Sequence, residues 1–159
     1  MTISEEYKNM ESYHSIYKGC SGDLPCDKKL YSMTNDSLYL MTNLQCCDTD
    51  LCNDQFYEMP EDEKPHGGVC PSCIKFNTLE ECKANNKLKC LQKDDKCVSF
   101  SAEVEKPDGV AISYSAKGCM SALECERLSD LIIGIKMLNG GNFECKNPPS
   151  KKEKHQEEN

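Results

Sequence analysis

The cysteines of CPSC at residues 70–73 are spaced as in a redox motif or one half of a zinc site. A thioredoxin-type redox motif lies in a βαβ unit, and the neighbouring sequence has no such pattern. A zinc site needs a second cysteine pair or suitably spaced histidines, which His14, His66 and His155 do not provide. We therefore predict that these two cysteines form structural disulfides, and that the chain has no metal and no cofactor.

Two further patterns could support other chemistry. The aspartates of DTDLCND at residues 48–54 are spaced as in a calcium loop, but Asn53 and Met59 stand where that loop needs glycine and glutamate. Nucleophilic catalysis needs a base that a third group orients, and the three histidines lie in polar terminal and linker segments. We predict a solvated turn at 48–54 and no enzymatic activity.

The composition is typical of an extracellular protein that depends on disulfides. The chain has 159 residues, of which 13 are cysteine and none is tryptophan. A thin core needs cross-links, and these form in an oxidising compartment. The formal net charge of -8 excludes a nucleic-acid partner, which would need a basic surface.

The ends of the chain bear on its localisation. The opening residues, MTISEEYKNMESYHS, lack the apolar run of a signal peptide. The longest apolar stretch, 131–138, is too short to span a bilayer, and the charged tail does not fit a lipid-anchor signal. We expect a secreted protein with no membrane anchor in this chain, whose signal peptide has been lost by truncation.

An internal repeat organises the cysteines. Five residues of the first copy recur at a constant offset of 99: Lys18, Gly19, Cys20, Leu24 and Cys26 return as Lys117, Gly118, Cys119, Leu123 and Cys125. Each copy then has a cysteine 20 positions further on, at Cys46 and Cys145. Five more cysteines precede the second motif, and their counterparts would fall before residue 1.

The repeat predicts the domain organisation. We expect a first domain without its N-terminal half, a linker, a second domain and a disordered charged tail, at residues 1–56, 57–69, 70–146 and 147–159. Pro, Gly and charged residues mark the linker. The second copy has an even number of cysteines, which allows complete pairing, but spacing alone does not choose the connectivity.

Period-two alternation predicts the β-structure. VSFSAEV and VAISYSA, on either side of EKPDG, form a hairpin over 98–116, in which Gly109 accepts a positive φ. DSLYLMTNLQ at 36–45 reads as another strand, whereas CERLSDLIIGIKML at 125–138 is ambiguous. Its apolar residues could line a short helix: Leu128, Leu131, Ile132 and Ile135. We expect an all-β, loop-rich chain with at most two helical turns.

A family resemblance rests on CCDTDLCND at residues 46–54. Adjacent cysteines followed by a gap that closes on Cys-Asn resemble the end signature of the lymphocyte-antigen/urokinase-receptor family, whose members are three-finger domains. The second copy resembles the same family through CPSC, ECKANNKLKC, DDKCVSF and AKGC. After Cys145 it continues into KNPPS without the family's last disulfide. A two-domain chain with that departure resembles the gamma-type phospholipase A2 inhibitors.

The resemblance implies an all-β, disulfide-rich fold of tandem three-finger (snake-toxin-like) domains, the first of them incomplete. It also implies the pairing Cys26–Cys46, Cys47–Cys52, Cys70–Cys97, Cys73–Cys82, Cys90–Cys119 and Cys125–Cys145. Cys20 remains unpaired, because the partner of its counterpart Cys119 has no equivalent in the first copy.

The implied function is recognition of a protein ligand. The resemblance points to a secreted, non-enzymatic inhibitor that sequesters a phospholipase A2 sterically, and to a homo-oligomer. A soluble urokinase-receptor-like module that binds a protein ligand at the cell surface is the alternative. The predicted ligand contacts lie in the central hairpin: Phe100, Val104, Ile112 and Tyr114.

Two surface features complete the predictions. Asn35-Asp36-Ser37 is an acceptor for N-glycosylation at Asn35, with an ordinary polar turn as the alternative. The apolar stretch 131–138 is interpreted as core, with a partner or oligomer surface as the alternative.

Overall fold

The computed structural model describes residues 2–8, 13–20, 25–35, 38–54, 64–105, 109–131 and 136–149. Nine strands and one helix lie within these ranges. The strands of the first half are β1 (Thr2–Lys8), β2 (Tyr13–Lys18), β3 (Lys28–Asn35) and β4 (Leu38–Gln45). Those of the second half are β5 (Val69–Phe76), β6 (Asn86–Lys89), β7 (Lys96–Glu105), β8 (Ala111–Met120) and β9 (Lys136–Lys146), and the helix is α1 (Ala122–Leu131).

The nine strands form one antiparallel sheet. Its order is β2-β1-β4-β3-β8-β5-β6, and β7 pairs with β8 on one side and β9 on the other. The predicted all-β, disulfide-rich class is confirmed. Within the described residues, no helix is long and apolar enough to cross a membrane.

The sequence repeat is also a repeat of strand pairing. In the first copy Ile3 on β1 faces Leu44 on β4, and in the second copy Phe100 on β7 faces Phe143 on β9. The hairpin β1–β2 corresponds in the same way to the hairpin β7–β8. Strands β2 and β4 keep the sequence offset of 99, whereas β1 and β7 are offset by 97 because the second hairpin is two residues longer. The duplication therefore extends beyond the residues that the sequence matches.

The two copies differ at their third element. In the first copy this element is β3, which pairs along its length with β4 and continues to β8 of the second copy through Ser32↔Met120 and Met33↔Cys119. In the second copy the equivalent positions, 127–134, follow the start of α1. The amide of Cys125 donates to the Ser121 carbonyl (3.0 Å) in the first turn, and Glu124 there is favourable beside the positive end of the helix.

Local sequence predictions succeeded where alternation was regular. The predicted hairpin is β7–β8, with Gly109 at φ 78° in its turn, and the predicted strand at 36–45 is β4. As expected for a chain with little helix, the helix of the described residues is confined to α1, whose ten residues are interrupted at Arg127, where φ is -133° and ψ is 32°. Strand β9 was not predicted, and its pairing with β7 contains two register shifts that interrupt alternation.

The proposed linker and tail are partly described. Residues 57–63 and 150–159 lie outside the described residues. The amides of His66 and Gly67 donate to the carbonyls of Leu91 and Cys90 (3.1 and 2.9 Å), so the end of the linker is attached to the second copy. Lys96 donates to the side chain of Asn147 (2.7 Å), which holds the start of the tail.

The main hydrophobic cluster lies where the two copies meet. It comprises Tyr31, Cys70, Leu88, Cys90, Leu91 and Cys119, with Cys97 packed against it. Among the described residues of this cluster, Tyr31 alone comes from the first copy. The core of the second copy is thus completed by a side chain from β3.

Candidate functional site

Six disulfides fix the framework on which any binding surface is carried. They join Cys26–Cys46, Cys47–Cys52, Cys70–Cys97, Cys73–Cys82, Cys90–Cys119 and Cys125–Cys145. These are the pairs that the family resemblance implies. Cys20 is exposed and forms no disulfide.

Three buried sulfur atoms have the geometry of a metal-binding group. The Sγ atoms of Cys70, Cys90 and Cys119 lie within 4.8 Å of one another. A thiolate is the form that binds zinc, and all three sulfurs are disulfide-bonded. The two disulfides pack side by side, with the Cys70 and Cys90 sulfurs 3.4 Å apart. In the oxidised protein this group therefore contributes to the core.

A buried hydrogen bond connects the two copies. The hydroxyl of Tyr31 donates to Oδ2 of Asp95, and the backbone amide of Gln92 donates to the same oxygen (2.7 Å). Both side chains are fully buried, and Oδ1 of Asp95 has no hydrogen-bond partner among the described residues. Burial raises the pKa of the Asp95 carboxyl, and burial together with the bond to Asp95 raises the pKa of Tyr31. The bond therefore stabilises an otherwise poorly solvated carboxyl.

The predicted contact residues share one face of the sheet. Residues paired directly across antiparallel strands project to the same side, which places them in three rows over β9, β7, β8 and β5. The rows are Phe143, Phe100, Ala116 and Ile74; then Gly140, Ala102, Tyr114 and Phe76; then Met137, Val104 and Ile112. We call these eleven residues the aromatic face. The structure thus brings Phe100, Val104, Ile112 and Tyr114 together.

Burial differs among the four predicted residues. Val104 is buried, whereas Phe100, Ile112 and Tyr114 are half-buried. Tyr114 contacts Phe100 edge-on (ring centroids 4.9 Å apart, 70° between planes) and lies 6.4 Å from Phe76. Burial raises the pKa of Tyr114 to about 12, so its phenol is neutral at physiological pH.

Sequence reasoning missed the most exposed members of the aromatic face. Phe76 is 50% exposed, Met137 43% and Phe143 37%. Phe76 ends a strand that begins around CPSC, whose cysteines mask the alternation, and the other two lie on the irregular strand β9. An internal comparison could have found Phe143, since Leu44, its counterpart at the 99-residue offset, lies in the predicted strand β4.

The opposite face of the same strands is polar. Lys117 and Ser99 face each other there, and Lys117 forms an ion pair with Glu81 (2.6 Å). The hydrogen bond from Lys117 and its charge hold the pKa of Glu81 below its ordinary range. Glu103, on the same side, accepts a hydrogen bond from Asn139 (2.6 Å). The second-copy sheet is therefore apolar on one side and charged on the other.

Two remaining sequence predictions concern the first copy. In the segment 48–54 the amides of Cys52 and Asp54 donate to the carbonyls of Thr49 and Leu51 (both 3.3 Å), which forms a turn. Leu51 projects from it with 86% exposure. Asn35 ends β3, but Asp36 and Ser37 lie outside the described residues, so glycosylation stays a prediction.

Comparison with curated proteins finds phospholipase A2 inhibitors of snakes. The 31 kDa subunit of the inhibitor from Naja kaouthia is 25% identical over 119 residues, which cover 74% of this chain and 61% of the relative. Inhibitor LNF1 from Lachesis muta muta is 25% identical over 136 residues, 85% of this chain and 67% of the relative. Inhibitor CNF from Crotalus durissus terrificus is also 25% identical over 136 residues, with the same 85% and 67% covered. The chain thus spans between 61% and 67% of the length of these relatives.

No solved structure matches the chain. The family model of the u-PAR/Ly-6 domain matches residues 1–55 and 66–139, which is most of the sequence and includes both copies of the repeat. Its two segments agree with the duplicated strand pairing and with the disulfide-rich sheet. The chain is therefore a member of the u-PAR/Ly-6 domain family.

Proposed function

We propose that this protein is an extracellular, non-enzymatic binding protein that inhibits a secreted phospholipase A2 by steric occlusion. The observation that carries the proposal is an exposed aromatic face on a disulfide-fixed sheet, in a chain whose curated relatives are named phospholipase A2 inhibitors. Phe76, Met137 and Phe143 are the proposed contacts, together with Phe100, Ile112 and Tyr114.

The disulfides support both the localisation and the mode of action. Cross-links of this density persist in an oxidising compartment outside the cytosol. Each contributes about 3 kcal/mol by restricting the unfolded chain. Strands held in this way lose little conformational freedom on binding, and that lowers the cost of forming a complex.

The chemistry of the aromatic face suits contact better than catalysis. Aromatic residues and methionine are enriched in the cores of protein interfaces. Tyr114, the titratable residue of this face, is neutral at physiological pH, as an ordinary tyrosine is, and burial raises its pKa further, to about 12. A neutral phenol among carbon-rich side chains can pack against a partner without the desolvation of a charge.

Three expectations from the sequence join this proposal. The division at residues 57–69, the homo-oligomer and the glycan at Asn35 agree with a secreted two-domain inhibitor, and each has its own measurement. Limited proteolysis tests the linker, sedimentation tests the assembly, and glycosidase treatment of protein from a eukaryotic host tests the glycan.

The proposed activity is tested by titrating the full oxidised chain against a panel of secreted phospholipases A2 acting on phosphatidylcholine vesicles. We expect stoichiometric loss of hydrolysis for at least one enzyme. Unchanged hydrolysis by every enzyme at micromolar protein would remove the inhibitor proposal.

The family assignment supports a second candidate, a soluble module that binds another protein ligand at the cell surface. Affinity capture from plasma with the immobilised chain discriminates between the two functions. Recovery of a cell-surface or matrix protein without any phospholipase would favour the second candidate.

A further inference from the structure

We infer that the aromatic face binds the lipid-contacting surface of the phospholipase and leaves its catalytic cleft open. The protein would then prevent the enzyme from attaching to a membrane, while dissolved substrate could still be hydrolysed. This inference rests on the proposed function and specifies which surface of the enzyme is covered.

The chemistry of the two surfaces is complementary. An enzyme that hydrolyses phospholipids in a membrane must present apolar side chains to the lipid. The aromatic face offers apolar side chains in return, and Phe76, Met137 and Phe143 still expose 50%, 43% and 37% of their surface. Burying such surface is the main favourable term in association. The ion pair of Lys117 with Glu81 lies on the other side of the sheet and outside this contact.

The shape of the aromatic face favours a broad contact. Four neighbouring strands, at a spacing of about 4.8 Å, make it about 15 Å wide. Its side chains stand in rows on paired strands, and the tight ring contact of Phe100 with Tyr114 (4.9 Å) leaves neither ring projecting alone. A surface of this kind fits another broad surface. To block a cleft shaped for one lipid molecule, the protein would instead need a single protruding segment that enters the cleft.

The position of the exposed side chains is consistent with such a contact. Phe76 lies on β5 and Phe143 on β9, at opposite edges of the four-stranded region, with Phe100 and Tyr114 between them. Large aromatic side chains commonly contribute much of the binding energy of an interface. The two outer phenylalanines expose 50% and 37% of their surface, so they can be replaced to weaken the contact while the half-buried centre stays intact.

The test compares two substrates for the same enzyme. A phospholipase that the full oxidised chain inhibits is assayed on phosphatidylcholine vesicles and on a short-chain phosphatidylcholine below its micellar concentration. Direct binding of chain and enzyme is measured without lipid. We expect loss of hydrolysis on vesicles, unchanged hydrolysis of the dissolved substrate, and binding in the absence of lipid.

A double variant and a matched control locate the contact. Phe76→Ser with Phe143→Ser should weaken binding and vesicle inhibition by on the order of tenfold. Leu51→Ser, which changes an equally apolar and 86% exposed side chain on the first copy, should change neither. Circular dichroism verifies that each variant keeps the sheet.

Each other outcome overturns the inference in a distinguishable way. Equal inhibition on both substrates would place the contact at the cleft and leave the proposed function standing. Sedimentation of the chain with vesicles in the absence of enzyme would show that it covers lipid instead. Undiminished inhibition by the folded double variant would move the contact to another surface, and no binding to any phospholipase would remove the proposed function itself.

Discussion

Replacing Tyr31 with phenylalanine removes one oxygen atom from the contact between the two copies and leaves the packed ring in place. The lost hydroxyl is a donor to Asp95, whose carboxyl is fully buried. Within the part of the chain that the structure describes, this carboxyl then keeps only the amide of Gln92 as a donor. A hydrogen bond to a charged group contributes about 1.5–3 kcal/mol net. We expect Tyr31→Phe to lower the free energy of unfolding by about 2 kcal/mol at pH 7, roughly a thirtyfold change in the unfolding equilibrium.

The measurement is urea unfolding of the oxidised chain, followed by circular dichroism. Tyr114→Phe is the matched control, because the Tyr114 hydroxyl makes no hydrogen bond within the described part of the chain, and we expect it to unfold like the parent. An unchanged urea midpoint for Tyr31→Phe would refute the idea that this bond holds the two copies together.

The effect should depend on pH in a direction fixed by Asp95. Burial raises its folded-state pKa above the ordinary value, so its contribution to stability is fully present below the ordinary pKa and is lost as pH rises through the folded-state pKa. Once Asp95 is protonated, the bond from Tyr31 joins two neutral groups. The cost of Tyr31→Phe should therefore decrease to about 1 kcal/mol in acid, and a cost that grows in acid would contradict this account.

Three further predictions concern the second copy. Gly109 has φ 78°, and a Cβ added there would meet no atom within 4 Å. Gly109→Ala should therefore lower the unfolding free energy by about 1 kcal/mol through backbone strain alone. Gly109→Asn should lower it by less, and equal losses for the two variants would argue against strain. Ultraviolet absorbance titration should find Tyr114 ionising near pH 12, with stability lost as pH rises through that value; the absence of this step in Tyr114→Phe assigns the signal. Replacing Cys125 and Cys145 together with alanine should cost about 3 kcal/mol in urea unfolding, and a smaller loss would indicate that α1 and β9 are held mainly by packing.

The sequence predicted those features that depend on local spacing. Alternation gave the hairpin β7–β8 and the strand β4, since both have regular pairing and a turn that glycine suits. The face shared by Phe100 and Ile112 follows from the same alternation. Cysteine spacing predicted a repeat, which the pairing of β1 with β4 and of β7 with β9 extends.

The remaining features depend on contacts between distant residues. Two register shifts place Met137 and Phe143 on the same side as Phe100, and no periodic pattern encodes such shifts. Tyr31 lies in KKLYSMTN, which resembles an ordinary half-buried strand, and its bond to Asp95 spans 64 positions. The bond to Asp95 distinguishes Tyr31 from an ordinary strand tyrosine, and it can be recognised only when the structure brings the two copies together.

Tyr31 also makes the second half of the chain dependent on the first, so the second half cannot be transferred to another protein without loss of contacts. A second half moved into another protein would leave a gap among Leu88, Leu91 and the Cys90–Cys119 disulfide, and would leave Asp95 without its phenol. A hybrid protein that retains residues 64–149 should therefore also retain strand β3, or have a tyrosine of the new partner domain in the position of Tyr31. Although the two copies share their strand pairing, one cannot replace the other.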